Sequence, residues 1–180
     1  MNNRIFRAIN QLAGQYRPID YIMIFISKKA RYLFLLLLIF MWIRNNFRKN
    51  IMLNVGISVG LTYFITFFIK QINFKPRPFL KHSVHLIPPF PSKKNSSFPS
   101  KHTTLAFALA TSVFFYHRVI GWVMWLLAFL SGFSRIWMGQ HYPSDIIGSA
   151  FLGSLTASFV KIFEPIWNSF ATRTIGSKNR

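Results

Sequence analysis

Residues 51–69 read IMLNVGISVGLTYFITFFI, an apolar run bracketed by Lys49 and Lys70. It carries no charge and no proline, and it matches the roughly 20 mostly apolar residues that a helix needs to cross a bilayer. Three more runs of this kind lie downstream. Thr103–Tyr116 follows a serine, Ile120–Phe133 continues toward Ser134 and Arg135, and Ile146–Phe163 starts just after Asp145 and ends near Lys161 and Pro165. Upstream, Tyr32–Ile43 is strongly apolar but short, and Lys28, Lys29 and Arg31 separate it from Tyr21–Ile26. Each cation held at the bilayer centre costs about 2.5–3.5 kcal/mol on insertion scales. These three are therefore placed near an interface, with Ile5–Leu12 and Tyr21–Ile26 as amphipathic or tilted elements. The expected fold is all-α: a polytopic transmembrane helical bundle of five spans, a sixth being allowed, forming a single membrane-embedded domain over residues 1–180.

Composition supports the same class. Of 180 residues, 52% are hydrophobic, 18% aromatic (21 of them Phe) and only 14% charged, too few to cover an ordinary soluble surface. Disorder is excluded by the same figures, since it requires low hydrophobicity. Lys and Arg total 22 against three acids, Asp20, Asp145 and Glu164, for a net charge of +19. Such a surplus calls for an anionic partner: nucleic acid, anionic lipid or a phosphorylated substrate. Nucleic acid fits poorly, because the cations flank apolar blocks instead of forming one basic face. There is no cysteine, hence no disulfide framework and no thiolate metal site. Residues 1–18 lack the unbroken apolar core of a cleavable signal peptide, so the spans themselves direct insertion.

The connection over residues 70–102 contains prolines at 76, 78, 88, 89, 91 and 99, which forbid a continuous helix. With two spans between them, this Pro-rich loop and the Arg135–Asp145 segment emerge on one membrane face. Three clusters meet there: Lys70 with Arg77-Pro78 seven residues on; Phe98-Pro99-Ser100-Lys101-His102; and Ser134-Arg135 with His141 six and Asp145 ten residues after Arg135. Phosphoryl transfer suits them. A phosphate needs fixed cations around its oxygens, most of all in the transition state, and Lys70, Arg77 and Arg135 supply them, the arginines as bidentate forks. Ser100 is placed to cap the next helix, whose free N–H groups make an anion site. His141 in this cationic setting stays neutral, as a nucleophile must, with Asp145 accepting its other ring N–H. His102 is left to protonate the leaving oxygen and then to activate water.

Together, K-x6-R-P, P-S-x-H and S-R-x5-H-x3-D resemble the signature of the type 2 phosphatidic acid phosphatase superfamily. Phe74–Phe79, Ser97–Thr104 and Gly132–Gly148 further resemble its bacitracin-resistance-type undecaprenyl-diphosphate phosphatases. The motifs span residues 70–145. The resemblance implies phosphate binding by Lys70, Arg77, Ser100 and Arg135, with His102 as acid, His141 as nucleophile and Asp145 as its partner. Lys101 replaces the usual glycine of the second motif, and it is counted with the phosphate-binding set. Neither metal nor other cofactor is implied. The implied activity is hydrolysis of undecaprenyl diphosphate, with carrier recycling for peptidoglycan synthesis and bacitracin resistance. The implied location is a bacterial plasma membrane with the site facing outward.

That orientation leaves eight of the 22 cations on the cytoplasmic side (Arg44, Arg48, Lys49, Arg118, Lys161, Arg173, Lys178 and Arg180), against the usual bias. A phosphatidate or phosphatidylglycerophosphate substrate is the nearest alternative, and a non-enzymatic anion transporter is the alternative of another class. His82 and His85 match no catalytic position, and His117 falls on the opposite face. Lys75, Lys81, Lys93, Lys94 and Lys101 could meet a second phosphate, but for most of them a solvated charge run is the expected reading.

Overall fold

The structure, a computed structural model, describes residues 2–44, 49–81, 83–88 and 96–166. Arg48, His82, Lys93, Lys94, Arg173, Lys178 and Arg180 lie outside them. Among the described residues all regular structure is helical: α1 (Asn2–Asn10), α2 (Arg17–Ile43), α3 (Lys49–Ile72), α4 (Pro78–Lys81), α5 (Lys101–Phe114), α6 (Arg118–Trp137) and α7 (Pro143–Ile162). Three stretches, Ile51–Ile72, Arg118–Trp137 and Pro143–Ile162, are each long and apolar enough to cross a bilayer. At 14 residues α5 is shorter, and α2 is interrupted by cations.

One expectation about the first region needs correction. Tyr21–Ile26 and Tyr32–Ile43 are not separate elements, because α2 runs through both without a break. Residues 19–43 contain neither glycine nor proline, and the intervening Lys28, Lys29, Ala30 and Arg31 are all strong helix formers, so charge alone does not stop the helix. The carbonyl of Ser27 accepts a hydrogen bond from Arg135 Nη2 at 3.1 Å. The cationic turn therefore stands level with the C-terminal end of α6, leaving about 22 Å of helix from Lys28 to Ile43. The short α1 packs beside that same end, where Asn10 Nδ2 donates to Trp137 O at 2.9 Å.

Small residues let the central helices approach closely. A Cβ built on Gly153 of α7 would lie 2.2 Å from the Thr104 carbonyl oxygen of α5, so that position admits only glycine. Phe34 and Met41 of α2, Val55 of α3, Phe107 and Val113 of α5 and Met124 of α6 join in one core. Leu35, Leu36, Phe64, Trp122, Phe129, Phe151 and Phe159 point outward and are exposed. An apolar belt of that size is the surface of a protein solvated by lipid. The ends of α3 and α6 and the starts of α5 and α7 meet at one end of the bundle, which brings the polar motifs together.

Candidate active site

The last turn of α3 carries Lys70, whose Nζ donates to the Ser96 carbonyl at 3.0 Å. Ser96 also holds the Pro-rich connection against itself. Its hydroxyl accepts from the Lys75 N–H at 3.1 Å, and the Ser97 N–H donates to Lys75 O at 2.7 Å. These bonds set residues 75–77 beside residues 96–97, and Arg77 lies buried across from the α6–α7 turn.

That turn is tight. The N–H groups of Gln140 and His141 both donate to Arg135 O, at 3.0 and 3.3 Å, and Gly139 takes φ +75°, a left-handed conformation that glycine adopts without steric cost. Gln140 then joins the two arginines. Its carbonyl accepts from Arg77 Nη1 at 3.3 Å and its Oε1 from Arg135 Nη1 at 2.9 Å. The buried Nε of Arg135 has no hydrogen-bond partner, so one donor of the fork remains available to an anion.

His141 is 4% exposed. Burial first, then the charges of Arg77, Arg135 and Lys70, hold its imidazole well below the usual histidine range, so the ring is neutral at physiological pH. Arg77 Nη1 lies 3.3 Å from Nε2. A guanidinium has only protons to give, so Nε2 is the lone-pair nitrogen and Nδ1 carries the hydrogen. Nδ1 does not reach the carboxylate directly, since Asp145 Oδ2 is 3.9 Å away. The hydroxyl of Ser97 stands between, donating to Asp145 Oδ2 at 2.5 Å and lying 3.5 Å from His141 Nδ1. The direct His141–Asp145 hydrogen bond expected from the sequence is thus replaced by a link through Ser97.

Asp145, fully buried, serves two structures at once. Oδ2 also accepts from the Tyr142 N–H at 3.0 Å, closing the first turn of α7, and Oδ1 pairs with Lys75 Nζ at 2.5 Å. Lys75 is accordingly no member of a solvated charge run. Ser100 also departs from expectation: it occupies the N-cap of α5 but makes no side-chain cap. Its hydroxyl accepts from Thr103 Oγ1 at 3.1 Å, and its N–H donates to Ser149 Oγ at 2.7 Å, because the α5–α7 contact buries it completely. Lys101 turns aside, its ammonium 4.4 Å from the centre of the Tyr63 ring. His102, one residue on, lines a cavity shared with Arg135.

The structure therefore gathers Lys70, Arg77, Arg135, His141 and Asp145 at one place, sets His102 beside Arg135 and turns the Lys101 side chain from the start of α5 toward Tyr63 of α3. Away from the site, the His85 N–H and carbonyl are tied to the Asn10 side chain, and His117 holds the N-cap of α6. Ser97, Gln140 and Lys75 are participants to which the sequence assigned no catalytic role, although each lies inside one of the stretches Phe74–Phe79, Ser97–Thr104 and Gly132–Gly148. Among the described residues no group of histidines and carboxylates could hold a metal ion.

The chain is similar to known proteins. The model of the PAP2 superfamily matches residues 51–168. An undecaprenyl-diphosphatase, BcrC of Bacillus subtilis (strain 168), is 38% identical over 150 residues, covering 83% of this chain and 77% of that protein. The bacitracin transport permease protein BcrC of Bacillus licheniformis is 31% identical over 163 residues, covering 89% and 79%. Among solved structures, Aquifex aeolicus LpxE superposes with a TM-score of 0.72 at 29% identity, covering 88% of this chain and 93% of that one. A Bacillus subtilis transmembrane PAP2-type phosphatidylglycerolphosphate phosphatase shares the fold, with a TM-score of 0.69 at 22% identity, covering 91% and 86%. The family model covers well over half the chain and contains every motif residue from Lys70 to Asp145, so this protein belongs to the PAP2 superfamily.

Proposed function

We propose that this chain is a multi-pass phosphatase of a bacterial plasma membrane. It hydrolyses undecaprenyl diphosphate to undecaprenyl phosphate and inorganic phosphate, recycles that carrier and confers bacitracin resistance. The observation that carries the reading is one buried neutral imidazole whose Nε2 faces Arg77, with Arg135 and Lys70 close enough to bear on its charge. The relation to an undecaprenyl-diphosphatase over most of the chain supports the choice of lipid.

In this mechanism Lys70, Arg77 and Arg135 bind the terminal phosphate and hold it against His141. Nε2 attacks phosphorus, the bond to the bridging oxygen breaks, and its electron pair leaves with the lipid phosphate, to which His102 gives a proton. The phosphoimidazole carries its remaining ring hydrogen on Nδ1, toward Ser97 and, through it, the Asp145 carboxylate. His102 then takes a proton from water as it attacks the phosphohistidine, releasing phosphate and restoring the imidazole. Ser100, whose N–H is held by Ser149 Oγ, contributes its hydroxyl proton at the start of α5, and Lys101 adds positive potential at the margin. No metal is required. We read α2, α3, α5, α6 and α7 as five spans, with the site facing outward.

Phosphate release from undecaprenyl diphosphate by detergent-purified protein in EDTA, beside His141→Ala, tests the proposal. Turnover by the wild type and none by a folded variant is the expected result. A wild type silent on every polyprenyl diphosphate would overturn the function, and full turnover by His141→Ala would overturn the phosphohistidine.

A further inference from the structure

A cavity of about 560 Å³ opens beside the site, and its walls divide into two kinds. Phe34, Val59, Leu105 and Leu109 make one part apolar, between α2, α3 and α5. Lys28, Lys29 and Arg31 line another part, while His102 and Arg135 connect the cavity to the catalytic residues. The Ser27–Arg135 hydrogen bond fixes this turn of α2 to the site.

Among the described residues the three cations have no carboxylate to neutralise them. Asp20 accepts from the Gly14 N–H and Trp137 Nε1, Asp145 is held by Lys75, Ser97 and Tyr142, and Glu164 pairs with Lys161. Those are all the acids in the sequence. Two of the cations contact an aromatic ring: Arg31 donates to the Tyr32 hydroxyl at 3.0 Å and lies 4.8 Å from its ring centre, and Lys29 Nζ lies 5.3 Å from the same ring. Three uncompensated charges in one turn of an otherwise apolar helix cost insertion energy. Cations serving only as interfacial anchors need no cavity, whereas these border one that runs from His102 into apolar wall.

We propose that Lys28, Lys29 and Arg31 form a second phosphate subsite, which holds the inner, lipid-linked phosphate of a polyprenyl diphosphate while the apolar part takes the start of the chain. This rests on the phosphatase reading above and adds to it the basis for choosing a diphosphate. In the mechanism above His102 protonates the leaving oxygen, and His102 lines the cavity, so the leaving group lies on the cavity side of the site. When His141 takes the outer phosphorus, the bridging P–O electron pair stays with the inner phosphate, and its extra negative charge develops beside these cations. A monoester whose phosphate carries the chain directly puts no second phosphate there.

Binding of a polyprenyl monophosphate tests the subsite, because that molecule offers an inner phosphate and a chain but no outer phosphate. Its equilibrium affinity for detergent-purified wild type is compared with Arg31→Gln and Arg31→Lys, alongside inhibition or binding by orthovanadate, which needs only the outer site. Arg31→Gln is expected to weaken monophosphate binding about tenfold or more, the loss of one charge-assisted contact. Arg31→Lys recovers most of it, and vanadate affinity stays within about twofold by the same arithmetic. Lys28→Gln reads the same contact set should Arg31→Gln fail to fold. Unchanged monophosphate affinity in these variants, or parallel losses for monophosphate and vanadate, would overturn the subsite. The parent reading is judged separately: wild-type turnover with unchanged binding sinks the subsite alone, and selective weakening without any wild-type hydrolysis sinks the phosphatase alone.

Discussion

The Ser97 hydroxyl donates to Asp145 Oδ2 at 2.5 Å, and this bond decides how the carboxylate bears on His141. A hydroxyl has one proton. With that proton given to Asp145, its lone pairs face His141 Nδ1, 3.5 Å away, and favour the tautomer that leaves Nε2 free. In the proposed mechanism the carboxylate stabilises a cationic phosphoimidazole through one intervening dipole.

Ser97→Ala removes that dipole and leaves Asp145 held by Lys75 and the Tyr142 N–H. Turnover is expected to fall about 10- to 100-fold, the effect of losing a hydrogen bond to a charged group, with KM little changed. Ser97→Thr, which keeps the hydroxyl, restores a large part. Steady-state kinetics on undecaprenyl diphosphate read both variants, and a purely structural serine would show equal kcat in all three proteins.

Asp145→Asn keeps a side chain able to accept from the Tyr142 N–H, so the protein is expected to fold and insert. Its turnover drops by about 10²–10⁴-fold, as when the carboxylate of a histidine-based site is made neutral. Lys75→Gln costs activity less, because Asp145 keeps its Ser97 and Tyr142 bonds, and costs little stability, because the lysine side chain is 37% exposed. Phosphate release and thermal unfolding of the two variants check this order; a Lys75 variant weaker than Asp145→Asn contradicts it.

The protonation of His141 gives a pH prediction. Its folded pKa lies below the unfolded value of about 6.5, so between the two the unfolded chain binds the extra proton. Stability from this group is therefore complete above about pH 7.5 and falls as pH drops through 6.5, by up to about 1.4 kcal/mol per pH unit. His141→Gln should lose that part of the acid destabilisation. NMR of ring-labelled histidine should find His141 neutral at pH 6, and Arg77→Gln should raise its pKa by removing the first of the neighbouring charges. A His141 that titrates near 6.5 in the folded protein would contradict the burial argument.

Glycines of the bundle separate into two groups. Gly153→Ala forces a methyl to 2.2 Å from the Thr104 carbonyl and 3.0 Å from the Ala108 nitrogen, so α5 and α7 must part, at a cost of about 1–3 kcal/mol or more. Gly56 and Gly60 of α3 have nothing within 4 Å of a built Cβ, and alanine there is expected to be neutral or to stabilise by up to about 1 kcal/mol. Thermal unfolding in detergent distinguishes them; similar midpoint losses for Gly153→Ala and Gly60→Ala would contradict the packing.

By itself the sequence determined the helical membrane class, the stretches that became α3, α6 and α7, and the histidines, cations and acid that meet at their ends. Those were legible because an apolar run of span length and a motif of fixed spacing are both local patterns. The continuity of α2 was harder to read: three cations argue against a mid-membrane helix, and the bond from Arg135 to Ser27 and the shared cavity show that the charged turn stands beside the site. Tertiary structure alone decided the rest. Ser97 reaches His141 across 44 residues and Lys75 reaches Asp145 across 70, while Ser100, a cap by its position, lost that role because Ser149 and Thr103 close around it. Such partners are chosen by which helix ends pack together, and helix packing follows from small residues such as Gly153, whose meaning no local pattern discloses.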